Sequence, residues 1–569
     1  MNYGFIKQKN SLSMTHSKIL RSSLFLLALG FSSQFAIAQR GEIESQTYEI
    51  LKDKSIEFAP ADRVFDKVQP VKGETGKKKV SYQIVDPEIN IASPKLTPAV
   101  PASSDEQSRK DEPDVLNNYV KAGGGNYGRF LGEIFVGGRP KEDLAFTTQL
   151  KHLSAANGPV DGKNSANAAT SFKIGGKYIR SKYKVDAGFN FDRKNYYFYG
   201  YKPQPEGVVV NRDTIRQTIN QFGFNLGFEN TDASVLVDYS VKTGLNTLKD
   251  RYNASEIDWG TNLTASVPIS ETFFALLEAD AYVSQRVDYF TYNRNLFRVK
   301  PTFKYVNEMF SVSAGINAVN ETDSQLDINR TKAFPAVNLD VTPFSGVHIF
   351  AGWNGDIVRN TLRSMLSENQ WLGPNVLVMN TEKTSDISAG VKGETGTGIN
   401  YEGKVAYTSY KNFYSYNNSL SDTSRFSAIF DPGKTKVLTI SAQAGYNFNE
   451  LFKTSLKANF FDYAVDKVEE PWHRPDLTLN WFNALTISKK LFVTADFYML
   501  RGLKAKNFQT GEVTKLPVIA DLNLKIDYLL TRNFSAFVNL NNVLGKNYQR
   551  YQYYPQQGLN FIAGLSFSF

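Results

Sequence analysis

Short runs of alternating apolar and polar residues fill the chain from Asn117 to its last residue. A period of two places one set of side chains on each face of a β-strand. The apolar members of the last run are Phe561, Ala563, Leu565, Phe567 and Phe569. An earlier run sets Leu522, Leu524, Ile526 and Tyr528 against Asp521, Asn523, Lys525 and Asp527. Strands with charges on one face and bulky apolar groups on the other can separate lipid from a wet lumen.

The connections between these runs decide between a soluble β-sandwich and a membrane barrel. Five tight turns share one sequence pattern, in which polar residues are followed by an aromatic residue. They lie at residues 270–273, 307–310, 449–452, 489–492 and 531–534. Longer polar connections rich in tyrosine lie between such turns, at residues 195–213, 359–381 and 410–424. Strict alternation of short turn and long loop is typical of outer-membrane barrels, whose turns face the periplasm. The aromatic residue after each turn would then act as an anchor at the periplasmic interface of the membrane.

Counting turns on this rule gives the size of the barrel. About ten tight turns and eleven long connections predict roughly 22 strands, an even number as bacterial single-chain barrels require. The 76 aromatic residues (41 Phe, 30 Tyr and 5 Trp) suit strands with aromatic girdles. After the first 38 residues, no apolar stretch is long enough for a membrane-spanning helix. The predicted fold class is therefore all-β, a transmembrane antiparallel barrel over residues 116–569.

The first 38 residues resemble a secretory signal peptide. They contain no acid, carry four basic residues, become apolar from Leu24 to Ile37 and end at Ala38. This order of basic, apolar and small residues predicts export and cleavage after Ala38, with an uncleaved signal anchor as the alternative. The predicted location is the bacterial outer membrane, with outer-membrane lipids and the barrel-assembly machinery as partners.

Residues 39–115 have a different composition. Prolines recur along this segment of 77 residues, at Pro87, Pro94, Pro98, Pro101 and Pro113. This spacing favours extended conformations over a compact core. We interpret it as a short extended arm that lies in the periplasm or threads the lumen, and a small folded domain is the alternative. Alternation at residues 79–85 suits strand addition to the sheet edge of a partner protein.

The C-terminal residues resemble a known family. The three stretches concerned are 537–548 (FVNLNNVLGKNY), 553–558 (YYPQQG) and 561–569 (FIAGLSFSF). They look like the closing strands of TonB-dependent receptors, especially those of Bacteroidetes-type bacteria. The resemblance implies a 22-strand outer-membrane barrel of the receptor and transport type, in which Phe569 acts as the signal read by the barrel-assembly machinery.

One feature of that family is missing. The receptors carry a folded plug domain and a TonB-contacting box before the barrel, whereas residues 39–115 are Pro-rich and show neither. The sequence therefore predicts a plugless barrel that is sealed by its own arm, filled by a partner, or open.

Aromatic clusters at the outer ends of strands are the candidate ligand site. We select Tyr197, Tyr199, Tyr414, Tyr416, Tyr551 and Tyr553 as possible ligand-contacting residues. A stacking platform for a sugar or aromatic ligand is one interpretation, and an aromatic girdle at the membrane interface is the favoured one. Inward charges such as Asp280, Lys525 and Asp527 indicate either selectivity or simple solvation of a wet lumen.

Several function classes receive little support from the sequence. There is no cysteine, and His16, His152, His348 and His473 show no metal-binding spacing, so no metal or cofactor is predicted. The formal charge of +9 includes four charges in the signal, which leaves nine minus four, or +5, too diffuse for nucleic-acid binding. Residues 123–128 satisfy a dinucleotide-binding pattern, but a strand follows them, so we interpret them as a hairpin turn.

Two functions remain. The first is transport, as a receptor-type barrel that takes up a ligand or as a pore. The second is a non-transporting role as an accessory subunit of an outer-membrane assembly or secretion complex. A barrel enzyme is a remote third, because no Ser/His or Asp/His constellation is visible in the sequence.

Overall fold

The computed structural model describes residues 118–201, 209–232, 234–396, 398–448 and 451–569. The predicted signal peptide (1–38) and arm (39–115) lie outside these residues. The strands of the described residues are β1 (Tyr119–Gly125), β2 (Arg129–Lys141), β3 (Leu144–Ala155), β4 (Asn167–Ile179), β5 (Tyr183–Tyr197), β6 (Arg216–Asn230), β7 (Asp238–Lys249), β8 (Ser255–Pro268), β9 (Phe273–Val287), β10 (Thr291–Val306), β11 (Phe310–Asp323), β12 (Ile328–Phe344), β13 (Val347–Val358), β14 (Thr381–Glu394), β15 (Ile399–Asn418), β16 (Phe426–Phe448), β17 (Phe452–Ala464), β18 (Leu477–Ser488), β19 (Leu491–Arg501), β20 (Lys504–Lys506), β21 (Val513–Lys515), β22 (Ile519–Leu529), β23 (Phe534–Asn541), β24 (Gln549–Tyr551), β25 (Tyr554–Pro555) and β26 (Asn560–Ser568).

Twenty-two of the described strands form one closed antiparallel sheet. Each strand pairs with its neighbour in the chain, and β1 pairs with β26 to close the barrel, with Tyr119 opposite Ser568 and Gly125 opposite Ile562. The small hairpins β20–β21 and β24–β25 stand apart from the wall, in the connections after β19 and β23. This confirms the predicted fold class and the count of 22 strands.

The two ends of the barrel differ as predicted. The start of β1 and the end of β26 lie at the same end of the barrel, where the backbone N–H of Phe569 donates to the carbonyl of Asn118 at 2.9 Å. The connections at this end are tight, for example the turn closed by Ile269 N–H and the carbonyl of Phe273 at 2.8 Å. Short turns mark the periplasmic end of such barrels, so the other end is the outer mouth.

The strict alternation of short and long connections is wrong in detail. Several outer connections, for example residues 126–128, 288–290 and 324–327, are as short as the periplasmic turns. Residues 410–418 are strand rather than loop, because β15 stays paired with β16 up to Asn418 opposite Phe426. The pattern 123–128 does form a hairpin turn, in which Tyr127 and Gly128 adopt left-handed φ angles of 57° and 61°.

The outward face is apolar along the strands. In β26 the residues Phe561, Leu565 and Phe567 are exposed on this face, while Asn560 and Ser566 are buried on the inner face. Three outward tryptophans each donate their indole N–H to a hydroxyl on the adjacent strand: Trp259 to Thr243 at 2.9 Å, Trp353 to Ser385 at 3.2 Å and Trp481 to Thr454 at 3.1 Å. These bonds satisfy a polar group that lipid cannot.

The inward face carries paired charges, as the alternation predicted. Lys525 and Asp527 lie 3.1 Å apart on β22. Asp280 accepts from Arg298 at 2.5 Å, and the same guanidinium also binds Asp356 at 2.7 Å. Buried charges are tolerated when they are paired and hydrogen-bonded, so these two networks contribute to a polar lining of the lumen.

In the part of the chain that the structure describes, no helix is both long and apolar enough to cross a membrane.

Candidate functional site at the outer mouth

The connection after β13, residues 359–380, folds inward across the outer mouth and contains the helix α1 (Leu362–Glu368). Thr361 and Ser364 form a capping box at the start of α1. The backbone N–H groups of Leu362 and Arg363 donate to the carboxylate of Glu256 on β8, at 2.7 and 3.1 Å. The helix is thereby held to the inner wall at β8, five strands away from β13. We call residues 359–380 the inward loop.

Apolar residues of the inward loop join a cluster that spans the mouth. We define the mouth cluster as the buried residues Tyr196, Phe198, Tyr199, Ile219, Leu248, Ala254, Leu362, Met365, Leu366, Trp371, Leu372, Val376, Val378, Tyr416, Phe426, Tyr551 and Tyr554. Its members come from β5, β6 and β7, from the connections after β5 and β7, from the inward loop, from β15 and β16, and from the connection after β23. Since these elements are spread around the barrel wall, the cluster crosses the lumen at its outer end.

Trp371 is at the centre of the mouth cluster. Its ring stacks on Tyr554 with centroids 4.0 Å apart, and the edges of Tyr196 and Tyr199 meet it at 5.3 and 5.1 Å. The hydroxyl of Tyr196 donates to the carbonyl of Gln370 at 2.5 Å. Buried aromatics contribute both large apolar area and specific ring geometry, so this packing ties the inward loop to the outer end of β5 and to the hairpin β24–β25.

Glu368, the last residue of α1, joins polar groups from three other elements. Its carboxylate binds Arg474 at 2.8 Å and accepts from the hydroxyls of Tyr414 and Tyr416 at 2.7 and 3.0 Å. The hydroxyl of Tyr551 donates to its backbone carbonyl at 2.9 Å. Glu368 and Arg474 are both 3% exposed. This buried ion pair fixes the C-terminal end of α1, because neither charge has water as an alternative partner.

Arginine contacts anchor the inward loop to the nearby wall strands β8, β9 and β10. Arg294 on β10 donates to the carbonyl of Asn360 and to the side chain of Asn380, both at 2.7 Å. Arg286 on β9 donates to the carbonyl of Val376 at 2.5 Å, and Arg359 pairs with Asp258 on β8. The loop is therefore an ordered part of the lumen, held at both ends and in the middle.

His473, in the connection after β17, is buried next to this ion pair. Its Nδ1 donates to the carbonyl of Tyr416 at 2.7 Å, and its Nε2 accepts the backbone N–H of Gln552 at 3.1 Å. This pair of contacts requires the neutral ring, since the imidazolium has no acceptor nitrogen. Burial lowers the pKa of His473 from 6.5 to about 3, and the nearby Arg550 acts in the same direction against the Tyr416 hydrogen bond.

We expect the mouth to loosen in acid because of His473. If the connection after β17 were released from the mouth, His473 would regain its ordinary pKa. The packing of this connection is therefore unaffected above pH 6.5 and is weakened as the pH falls from 6.5 towards 3. By linkage the loss is about 2 kcal/mol at pH 5. Fluorescence of Trp371 and Trp472, both buried here, measures the change. The variant His473→Gln keeps a donor and an acceptor but does not titrate, and a transition that persists in it contradicts the assignment.

The structure brings most of the selected tyrosines into one place. Tyr199, Tyr416 and Tyr551 are members of the mouth cluster, and Tyr414 binds Glu368 beside it. Tyr197 is buried under Arg212, whose guanidinium lies 4.4 Å from the ring centre. Tyr553 adopts a left-handed φ of 70°, and its N–H donates to Gln549 at 2.8 Å. The girdle interpretation is wrong for Tyr199, Tyr416 and Tyr551, because their rings pack in the lumen. Contact of these tyrosines with a ligand stays a prediction.

The roles of Glu368, Arg474, Trp371 and the anchoring arginines were not predicted from the sequence. A weak signal existed, since 359–381 is long and includes two apolar stretches, Trp371-Leu372 and residues 376–379. In the described ranges, no group of three or more His, Asp or Glu side chains is placed to hold a metal ion.

Comparison with known proteins shows which solved structures share this fold. No family model matches the chain, and no curated protein resembles it in sequence. The FrpB iron transporter from Neisseria meningitidis is similar in structure, with a TM-score of 0.61 and 10% identity over 80% of this chain and 81% of that one. This chain has the barrel fold of the TonB-dependent receptors. It is an outer-membrane β-barrel, as predicted.

Two further structures agree on that fold. FpvA of P. aeruginosa, in a complex with pyoverdine and iron, gives a TM-score of 0.62 and 12% identity over 81% of this chain and 72% of that one. The copper transporter OprC gives a TM-score of 0.60 and 10% identity over 80% of this chain and 81% of that one. At these identities the likeness concerns the fold, and the receptor-like barrel predicted from the C-terminal residues is confirmed.

Proposed function

We propose that this protein is a transport-type barrel that takes up a ligand from outside the cell, with the inward loop as its outer gate. The observation that carries the proposal is the mouth cluster, which crosses the lumen but is built from one loop docked on the wall. Tethers such as Glu368–Arg474 and Arg359–Asp258 are discrete contacts between loop and wall. A barrier made this way can open without breaking the barrel, since β13 and β14 stay paired below it.

The similar structures support a transport role. FrpB is an iron transporter, OprC a copper transporter, and FpvA was solved with a ferric pyoverdine. These proteins are transporters and receptors rather than enzymes, which favours a non-enzymatic role here. We propose in addition that Tyr199, Tyr416 and Tyr551 meet the ligand once the inward loop moves, and that Phe569, exposed at the end of the last strand, is read by the barrel-assembly machinery.

The closed mouth also favours a second candidate. A lumen that the inward loop crosses at its outer end is obstructed in this state, which suits an accessory subunit of an assembly or secretion complex. In that case residues 39–115 would dock a partner protein by strand addition. A protein complex has been solved for a similar barrel, FpvAI with pyocin S2. In either role we propose that residues 1–38 direct export and are removed.

One experiment distinguishes the transport role from the accessory role. A tagged full-length chain is purified from its native outer membrane in mild detergent, and the proteins that accompany it are identified by mass spectrometry. Recovery of TonB-system components is the expected result for energised uptake. Stoichiometric recovery of assembly or secretion subunits instead contradicts transport and supports the accessory role. A barrel that is recovered alone contradicts energised uptake and the accessory role together.

A further inference from the structure

A groove on the inner wall, opposite the anchors of the inward loop, is lined by an excess of positive charge. It lies where the first and last strands of the barrel meet. Its lining includes Lys121 on β1, Arg129 at the start of β2, Lys151 on β3 and Lys525 on β22, with Asn539 and Asn541 on β23. These strands close the barrel, and continuous pairing from β22 through β23, β26, β1 and β2 to β3 holds the backbone around the groove.

The charge balance of the groove is uneven. Four cations line it against two carboxylates, Glu133 and Asp496, an excess of four minus two, or two. Lys151 lies 3.8 Å from Glu133. Lys121 and Lys525 share one further carboxylate, Asp527, at 3.9 and 3.1 Å. When Asp527 is counted as well, one positive charge is still in excess.

Arg129 is the cation without a matching carboxylate in the described residues. It is 9% exposed, yet its Nη1 donates only to neutral amides, at 3.0 Å to Gln557 and 2.5 Å to Asn560. Its Nε, also buried, has no hydrogen-bond partner in the described part of the chain. A buried guanidinium that lacks an anion is costly, and such a cost is rarely retained without use.

We propose that this groove binds an oxyanion, the carboxylate or phosphate group of a small molecule, with Arg129 as its principal contact. The planar guanidinium matches the two oxygens of such a group, and a free N–H is available for it. The side chains of Asn539 and Asn541 offer further amide donors in the same groove. The site goes beyond the transport proposal, because binding to the purified barrel requires no passage through it.

The first test uses inorganic phosphate and the full-length chain in a non-ionic detergent. Phosphate replaces chloride at constant ionic strength while thermal unfolding is followed. A ligand that binds only the folded barrel raises its unfolding temperature in a saturable way. We expect Arg129→Gln to weaken the apparent affinity by about tenfold or more, since a charge-assisted pair is lost. Arg180→Gln is the control, because Arg180 is exposed at a periplasmic turn and pairs with Asp143 at 2.9 Å.

A second variant keeps the proposal falsifiable if Arg129→Gln does not fold. Asn560 is buried and touches the guanidinium, so Asn560→Asp would place a carboxylate there. We expect this variant to unfold at a higher temperature than the wild type without phosphate and to lose the phosphate response. The proposal is overturned if phosphate has no effect at constant ionic strength, if Arg180→Gln weakens the response equally, or if Asn560→Asp responds like the wild type.

Discussion

Replacing residues 361–378 with a short Gly-Ser linker is expected to raise the conductance of the barrel in a planar bilayer by roughly an order of magnitude or more, since a lumen of this strand number is wide when nothing fills it. The excision removes α1, Trp371 and Val376, and with them the part of the mouth cluster that crosses the lumen. The wall should persist, because the pairing of β13 with β14 begins at Val358 opposite Thr381, outside the excised residues.

The control for this excision is the same linker placed at residues 324–327. That outer connection joins β11 to β12 and contributes no residue to the mouth cluster as described. Its replacement should leave the conductance low. A third variant lacks residues 39–115, the predicted arm. If loop excision has no effect while removal of the arm opens the lumen, the inward loop is not the barrier and the lumen-threading interpretation is supported instead.

The strands could be predicted because a barrel wall imposes a local rule. Every residue of a strand faces either lipid or lumen, so the choice between Phe561 and Asn560 is visible in the sequence itself. Turn chemistry added the count of 22, since tight turns with polar residues and a following aromatic repeat along the chain. Phe537 shows that the side chains alternate even where an apolar residue faces inward. It is buried on the inner face of β23, where the ammonium of Lys121 is 3.9 Å from its ring centre.

The mouth could not be predicted because its contacts are distant in the chain. Glu368 and Arg474 are separated by 106 positions in the sequence, and Tyr551, which donates a hydrogen bond to Glu368, is 183 positions away from it. The inward loop has no period that a strand or a wall would impose, so nothing local indicates that it folds into the lumen. The tyrosines illustrate the same limit. Their position at outer strand ends was visible, but a tyrosine suits both a membrane interface and a buried site with a hydrogen-bond partner.

Removing the carboxylate of Glu368 should release the inward loop. In Glu368→Gln the guanidinium of Arg474 stays buried, with the carbonyl of Tyr414 at 2.9 Å but without its counter-ion. Breaking a buried pair by removing one partner costs about 3–5 kcal/mol. We expect the loop to detach, which exposes Trp371, makes residues 359–380 susceptible to protease and raises conductance, while the barrel itself stays folded. Protease digestion of the purified protein, with mapping of the cut, measures the release.

Two further variants show whether the charge is the cause. Glu470→Gln is the matched control, because Glu470 and Lys504 form a pair that is about one-third exposed on each side. Exposed pairs contribute at most about 1 kcal/mol, so this change should leave the loop protected. The double variant Glu368→Gln with Arg474→Met removes both charges, and a buried pair replaced by uncharged groups of similar volume is often neutral. Protection should return in the double variant. If the loop is cut equally in the single and double variants, the hydrogen bonds of Glu368 to Tyr414 and Tyr416, rather than its charge, hold the gate closed.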